Sequence, residues 1–298
     1  MKQQKRKTDG MKLSRGEVVF LNINNVFLFL LCLLMVYPIV HVFSIAFSSY
    51  EESIRIGFHV WPRQVDLTPL KKVFASQDIW RSYYNTIWRT VVGTVLSTLV
   101  TALGGYAISK RYLPMRRFFV GIFLFAMYFS GGVVPTFMLI RSLGLMNNRW
   151  SMVLPSLVWG SNMIIMRNFF ESIPQDMEES AQLDGANEWI ILFRIVMPVS
   201  KAVIATIAMW MCVYHWNAYM DNLMYFTDKN QYVLQRIIRS LVVDNSMSGL
   251  EAMSDMTVTN PESMKAATIL VSTVPILLVY PFAQKYFIRG VMIGAVKG

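Results

Sequence analysis

Long stretches without a charged residue dominate the pattern of this chain. Such stretches occupy 18–50, 90–109, 118–140, 150–166, 202–220 and 266–284. As a helix, about 20 mostly apolar residues cross the hydrocarbon core of a bilayer, with a usual range of about 17–25. A soluble helix would instead carry solvent-facing charge every few residues. The pattern therefore predicts an all-α, polytopic membrane protein with six transmembrane helices.

The segments between these stretches suggest how the chain is organised. Residues 1–16 are polar and basic and predict a cytoplasmic tail, while residues 17–298 predict a single transmembrane domain. Two longer connecting segments, 48–82 and 221–262, are expected on the external side. The first is predicted to form short helices on the membrane surface, and the second shows no clear period.

Small residues mark two of the predicted spans. The second stretch contains Gly93, Gly104 and Gly105, and small residues let membrane helices approach one another closely. It is therefore predicted to be a packed interior helix. The third stretch contains the run 130–132, Ser-Gly-Gly, which should weaken the helix locally. Membrane proteins tolerate such a weak point where the backbone lines a cavity or packs on protein.

Composition and charge agree with this interpretation. The chain is 54% hydrophobic and 15% charged, against about 25% charged for an average soluble domain. Its net charge of +10 could indicate nucleic-acid binding, but 16 of the 28 basic residues fall in segments predicted to share one side. Those segments are 1–17, 110–117, 167–201 and 285–298. The positive-inside rule then predicts that both termini are cytoplasmic, and no nucleic-acid partner is expected.

The sequence contains little that indicates a catalytic or metal-binding site. Cys32 and Cys212 both lie in apolar stretches, and the three histidines are scattered, so neither a disulfide nor a metal site is predicted. The GxxxxGK[ST] loop that cradles nucleotide phosphates does not occur. The chain is therefore not predicted to be an enzyme.

The polar loop 171–198 is the most informative connecting segment. Six carboxylates fall between Glu171 and Glu188. Pro174 suits a first helical turn, acidic residues in the first turns suit the helix dipole, and Gly185 suits a helix stop. A helix of about ten residues is too short to be stable alone in water. The loop therefore predicts either a helix that docks on a partner or a solvated loop helix without one.

The spacing within this loop carries a family resemblance. Glu179-Ser180-Ala181 is followed after three residues by Gly185, after nine more by Ile195, and after one more by Met197-Pro198. This arrangement resembles the EAA…G…I-x-L-P loop of ABC-importer permeases, with Ser180 in place of Ala and Met197 in place of Leu. The chain further resembles the carbohydrate-uptake group, in particular the oligosaccharide (polysaccharide-breakdown product) permeases and the second permease subunit of the maltose importer. The segments that carry this second resemblance are 129–132, 215–217 and 280–287.

The resemblance implies a type I ABC-importer permease architecture in the bacterial cytoplasmic membrane, with a carbohydrate as substrate. It implies three kinds of partner: a second homologous permease, a dimer of ATPase subunits and an extracytoplasmic substrate-binding protein. No cofactor is expected on this chain, since ATP and Mg²⁺ would be used by the partner ATPase. The positions to which the resemblance assigns ATPase coupling are Glu179, Ser180, Ala181, Asp184, Gly185, Ile195 and Pro198.

Polar and aromatic residues within the spans are the candidates for the substrate passage, because aromatic faces stack on sugar rings and amides bind hydroxyl groups. These candidates are Tyr128, Asn162, Trp216, Asn217 and Tyr219. The same aromatic residues also fit an interfacial belt, and the asparagines also fit hydrogen bonds between helices.

The alternative function is a secondary transporter or channel for a small polar solute. Such proteins usually carry ionisable residues within their spans. In this chain, His41 and His215 are the only acidic or basic side chains within the six charge-free stretches. This pattern favours energy delivered from outside the bilayer over proton or ion coupling.

Overall fold

The computed structural model describes residues 14–55, 57–243, 262–275 and 277–278. Regular structure in these ranges is helical, apart from one isolated β-bridge between Ser48 and Val65. The α-helices are α1 Arg15–Ala46, α2 Tyr50–Ser53, α3 Thr68–Ala75, α4 Gln77–Ser109, α5 Arg116–Tyr128, α6 Val133–Ser142, α7 Gly160–Glu171, α8 Gln175–Leu183, α9 Glu188–Ile190, α10 Met197–Val199, α11 Lys201–Asn217, α12 Met220–Tyr225, α13 Leu234–Val243 and α14 262–275. The predicted all-α class is confirmed for this part of the chain.

Helix α1 starts at a capping box. The hydroxyl of Ser14 accepts a hydrogen bond from the Glu17 N–H at 3.2 Å, and the Glu17 carboxylate accepts one from the Ser14 N–H at 2.7 Å. These reciprocal bonds satisfy two backbone donors that a helix start leaves free. The residues of α1 that are buried, Ser44 and Ala46, lie in its last turn. The helix therefore joins the rest of the described chain at its C-terminal end.

Helix α4 lies at the centre of the packing. It contacts α7, α11 and α13, and glycine makes the closest approaches possible. A Cβ added at Gly93 would lie 2.4 Å from Nε2 of His215, and one at Gly104 would lie 2.7 Å from Cε of Met163. Both distances are shorter than a van der Waals contact. At Gly93 the neighbour is the ring of the buried His215, so that position requires glycine for this packing, whereas at Gly104 the end of the Met163 side chain would have to shift. The prediction that small residues pack this helix in the interior is confirmed.

The length of the helices limits which of them can cross a bilayer alone. Among the described residues, α1 and α4 are each long and apolar enough to do so. Two bent pairs are further candidates: α5 with α6, bent by 114°, and the segment Glu188–Val199 with α11, bent by 84°. Helix α7 has 12 residues and is therefore about 18 Å long, less than the roughly 30 Å of hydrocarbon. The six-span count and the sidedness stay predictions.

Several predicted boundaries are wrong, because absence of charge does not by itself keep a segment helical. The third stretch, 118–140, is broken at 129–132, where Gly132 has a φ of +84°. The fourth stretch, 150–166, begins with two 3₁₀ turns, and helix α7 starts only at Gly160. The fifth stretch stops being helical at Asn217 rather than at residue 220.

The two segments predicted to be external agree only in part with their predicted form. In segment 48–82 the predicted short helices form as α2 and α3, but α4 already starts at Gln77, since a helix can carry polar side chains beyond its apolar part. Segment 221–262 was expected to lack a period, but it contains α13, whose apolar residues Leu234, Ile237 and Leu241 are buried. The parts of the predictions that fall on 1–13, 244–261 and 279–298 lie outside the described residues.

The helices define two ends that carry different chemistry. At one, named here the loop end, the turn after α4 meets the polar loop: Lys110 pairs with Glu178, and Arg116 pairs with Glu171. At the opposite end, named the far end, the Asn85 side-chain amide of α4 donates to the Tyr232 carbonyl at 3.0 Å. The loop end and the far end are the two regions in which candidate functional residues lie.

Candidate functional site

The polar loop at the loop end folds as a helix with a defined stop. Helix α8 runs from Gln175 to Leu183, with Pro174 immediately before it rather than inside its first turn. Gly185 has a φ of +81°, which only glycine adopts without cost. The Gly185 N–H donates to the Gln182 carbonyl at 3.0 Å, and the Ala186 N–H donates to the Ala181 carbonyl at 2.9 Å. This is a Schellman motif, so the predicted helix and its glycine stop are confirmed.

The side chain of Ala181 is only 9% exposed and belongs to an apolar cluster that also contains Ile173, Ile191 and Leu192 of this chain. Its small size therefore suits the internal packing of the loop, and its role in ATPase coupling stays a prediction. Ile195 is partly buried against the same apolar cluster.

The outward face of the loop is formed by other residues. Leu183, at the end of α8, is 90% exposed, and Met177 is also exposed. Leu183 and Met177 are not in the predicted coupling set; the members of that set that are exposed are Glu179, Ser180, Asp184, Gly185 and Pro198.

Glu188 joins the loop to the end of α4. One carboxylate oxygen accepts a hydrogen bond from the Tyr106 hydroxyl at 2.6 Å, and the other accepts one from the Tyr112 hydroxyl at 2.8 Å. Burial alone would raise the pKa of Glu188, but these two hydrogen bonds and the charge of Lys110 lower it overall. Burial and the same carboxylate raise the pKa of Tyr112 to about 12. The tyrosine therefore stays a neutral donor and the glutamate a charged acceptor.

Ion pairs reinforce this connection on the other side of α8. Besides Lys110–Glu178, the carboxylate of Glu171 is shared between Arg116 and Arg167, the latter at 2.8 Å. A cavity of about 730 Å³ lies between these groups and α8. The pair of Lys110 and Glu178 therefore ties α8 to the end of α4, while Glu171, the last residue of α7, ties α7 to α5 where the loop begins.

A second cavity, of about 580 Å³, lies towards the far end. It is bounded by the break between α5 and α6, the irregular segment before α7, and the junction of α11 with α12. Asp221 lines it and pairs with Arg89 of α4, whose guanidinium also donates to the Ala218 carbonyl at 3.0 Å. The side chain of Arg89 is fully buried and that of Asp221 is 21% exposed.

The structure does not gather the five predicted passage residues around this cavity. Tyr128 is 76% exposed at the end of α5, and Asn162 is buried, with its amide donating to Sδ of Met211 at 3.3 Å. Asn217 is exposed and donates to the carbonyl of its own helix four residues earlier.

The other two predicted passage residues lie further along the far end. Trp216 packs on an apolar cluster to which α1, α3, α4, α13 and α14 contribute, and the ring centroid of Tyr219 lies 5.3 Å from the guanidinium of Arg239. The cavity is lined instead by Trp159 and Tyr214, whose rings meet edge to face with centroids 4.9 Å apart.

Residues 14–293 match a family model described as "Binding-protein-dependent transport system inner membrane component". The chain belongs to this family. The permease YtcP of Bacillus subtilis (strain 168), named as a polygalacturonan/rhamnogalacturonan transport system permease protein, is 38% identical over 276 residues, which are 91% of this chain and 96% of that protein. The arabinooligosaccharides transport system permease protein AraQ of Halalkalibacterium halodurans is 26% identical over 88% of this chain and 91% of its own.

A solved structure shows that the fold is also that of an ABC-transporter chain. It is a bacterial ABC transporter involved in the import of the acidic polysaccharide alginate, one chain of which matches this permease with a TM-score of 0.86 at 33% identity. The match covers 92% of this chain and 99% of that one. The predictions of an ABC-importer permease subunit, and of a transport protein rather than an enzyme, are confirmed.

Sequence reasoning missed two sets of functional candidates in this permease. Arg89 directly precedes the second charge-free stretch, and Asp221 directly follows the fifth, so neither was counted as part of a span. In the six-span prediction both residues lie at the external end of a span, and this shared position is the signal that could have paired them. Tyr106 and Tyr112 carry no such signal, because nothing in their spacing indicates a carboxylate partner. Within the described ranges, no group of three His, Cys, Asp or Glu side chains is placed to hold a metal ion.

Proposed function

We propose that this permease forms half of the passage of an ATP-driven importer that carries a carbohydrate, of the oligosaccharide class, into a bacterial cell. The observation that carries the proposal is the family match over residues 14–293, together with similarity to two transport proteins named for polysaccharides. A cavity lined by aromatic and hydroxyl-bearing side chains suits such a substrate.

The proposed assembly contains a second homologous permease, a dimer of ATPase subunits that use ATP and Mg²⁺, and an extracytoplasmic substrate-binding protein. Helix α8 is the element that meets the ATPase. In this proposal Met177, Glu179 and Leu183 form the contact, since they are exposed on the loop. Ala181 and Ile195 set the shape of the loop from inside.

Uptake by the complete importer, reconstituted in vesicles, tests the function. A panel of labelled neutral and uronic-acid oligosaccharides is offered with the binding protein outside and ATP inside. We expect uptake of at least one oligosaccharide that stops without ATP and is unaffected by an ionophore. Uptake that persists without nucleotide and collapses with an ionophore would instead support the alternative, a secondary transporter or channel.

The proposed topology has six spans with both termini in the cytoplasm. The loop end is then the cytoplasmic side, which agrees with the basic residues gathered there. Single cysteines at Pro114, in the turn after α4, and at Gln175, in α8, should react with a membrane-impermeant maleimide only from the cytoplasmic face. Reaction of either from outside would overturn this arrangement.

A further inference from the structure

Three helix interruptions meet around the 580 Å³ cavity near the far end. Helices α5 and α6 are separated by the non-helical residues 129–132, α7 is preceded by the non-helical residues 157–159, and α11 is separated from α12 by 218–219. Interruptions leave backbone N–H and C=O groups without helical partners. At membrane depth such groups are tolerated only where they are buried in protein or line a water-filled cavity. Their convergence marks this cavity as polar and accessible to water.

The side chains of the cavity have the chemistry of a sugar site. Trp159 is 39% exposed and presents an aromatic surface beside the ring of Tyr214. Hydroxyl groups come from Ser130, in the interrupted segment 129–132, and from Ser161, in the first turn of α7. Aromatic surfaces with a few placed polar groups are typical of small-molecule sites, whose volumes are about 300–1,000 Å³.

The charged side chains that line the cavity indicate which part of a sugar the cavity can recognise. Asp221 is the one ionised side chain among the described residues that line the cavity, and Arg89 neutralises it from behind. A paired carboxylate still has lone pairs that accept hydrogen bonds from hydroxyl groups. No basic side chain among these lining residues is available for the carboxylate of a uronic acid. The cavity is therefore built for the face and hydroxyl groups of a sugar ring.

We propose that this cavity holds a sugar unit of the oligosaccharide in transit, with the indole of Trp159 as its stacking surface and Asp221 as a hydroxyl acceptor. The proposal rests on the proposed function and adds that this subunit contacts the substrate directly. Trp159 is then a residue that touches the substrate, although it is absent from the candidates drawn from the sequence.

The test uses the complete reconstituted importer, an oligosaccharide that the wild type carries, and variants that reach the membrane at normal levels. Loss of one aromatic contact in Trp159→Ala should lower uptake at limiting sugar about tenfold, and Trp159→Phe should restore most of it. The matched control is Trp61→Ala, since Trp61 is exposed and remote from the cavity lining. Unchanged uptake by Trp159→Ala would overturn the proposal.

A second pair of variants covers the case in which Trp159→Ala does not fold. Ser161→Trp fills the cavity from its rim and should abolish uptake while the ATPase still co-purifies. Ser142→Trp, at an exposed position at the end of α6, is the control and should transport normally. Normal uptake by Ser161→Trp would mean that protein or lipid occupies this cavity in the assembled importer. A wild type that carries none of the sugars would refute the proposed function instead.

Discussion

Arg89 and Lys110 both belong to the α4 region, yet they meet their carboxylate partners under different conditions. The side chain of Arg89 is fully buried and forms an ion pair with the carboxylate of Asp221 beside the far-end cavity. Lys110, at the loop end, pairs with Glu178. Two further carboxylates lie at this end, and each has its own partner: Glu171 pairs with Arg116, and Glu188 accepts a hydrogen bond from Tyr106. A buried pair fixes one geometry, because breaking it leaves an uncompensated charge. The loop-end pairs are partly exposed, with side chains 11–30% exposed, and they involve several groups, so the loss of one pair leaves the others in place.

This difference suggests how one helix can serve two purposes. The far end keeps the shape of the cavity because the buried pair of Arg89 and Asp221 tolerates little change. The loop end can shift with a partner, because its contacts are many, small and replaceable. Each of the following predictions acts on one side of this comparison.

The largest effect is expected at Arg89. Arg89→Met leaves the partly buried carboxylate of Asp221 without its partner and should lower the free energy of unfolding by about 3 kcal/mol. The measurement is thermal or denaturant unfolding of the purified protein in detergent. Arg81→Met is the control, because Arg81 is exposed and its pair with Asp78, at 3.8 Å, should contribute less than about 1 kcal/mol. Equal effects of the two substitutions would contradict the comparison.

An intermediate effect is expected at Gly185. A Cβ there meets no described atom within 4 Å, so the cost of Gly185→Val comes from the positive φ, about 1–3 kcal/mol. The stop of α8 should be lost, and uptake should fall far more than the amount of permease in the membrane. Gly121→Val, also into open space but without a positive φ, should be neutral in the same uptake and membrane-level assays. Full uptake by Gly185→Val would show that the exact end of α8 does not matter.

The smallest effect concerns Glu188 and is dependent on pH. Its pKa is lowered in the folded protein, so its contribution to stability is complete above the ordinary glutamate value, about 4.3, and is lost as pH falls through the lowered value. The pKa of Tyr112 is raised to about 12, so its donor is retained up to the ordinary tyrosine value, about 10. Glu188→Gln should therefore lower the unfolding temperature slightly at pH 7 and progressively less towards pH 3.

A matched substitution sharpens this test. Glu179→Gln removes an exposed carboxylate from the same loop without removing a hydrogen bond found among the described residues. Its effect on the unfolding temperature should be close to zero at every pH. A difference between wild type and Glu188→Gln that does not shrink in acid would mean that the two tyrosines do not act through the carboxylate.

The sequence predicts the local features of the loop end well. Pro174, the acidic first turn and Gly185 follow rules that act over a few neighbouring residues, and helix α8 forms where they indicate. The burial of Ala181 could not be predicted in the same way. It depends on packing with Ile191 and Leu192, which come close to α8 only because the chain turns after Gly185.

The far end shows the opposite balance. The weak point at 130–132 is visible in the sequence, but the 114° bend it produces depends on the packing of α6 against α12. The passage candidates were chosen by residue type within a span, and residue type does not say which side of a helix faces a cavity. Trp159, outside any helix, could not be singled out from periodicity.

Helix α1 has a consequence for the membrane around the protein. Its 32 residues extend about 48 Å, which exceeds the roughly 30 Å of hydrocarbon, and its buried residues lie only in the last turn among the described part of the chain. Contacts with neighbouring helices normally set the tilt of a span. Within the described part of this chain, most of α1 lacks such contacts, so the helices of its own subunit do not fix its tilt. In the proposed assembly, the inclination of α1 is therefore set by the surrounding lipid and by the second permease.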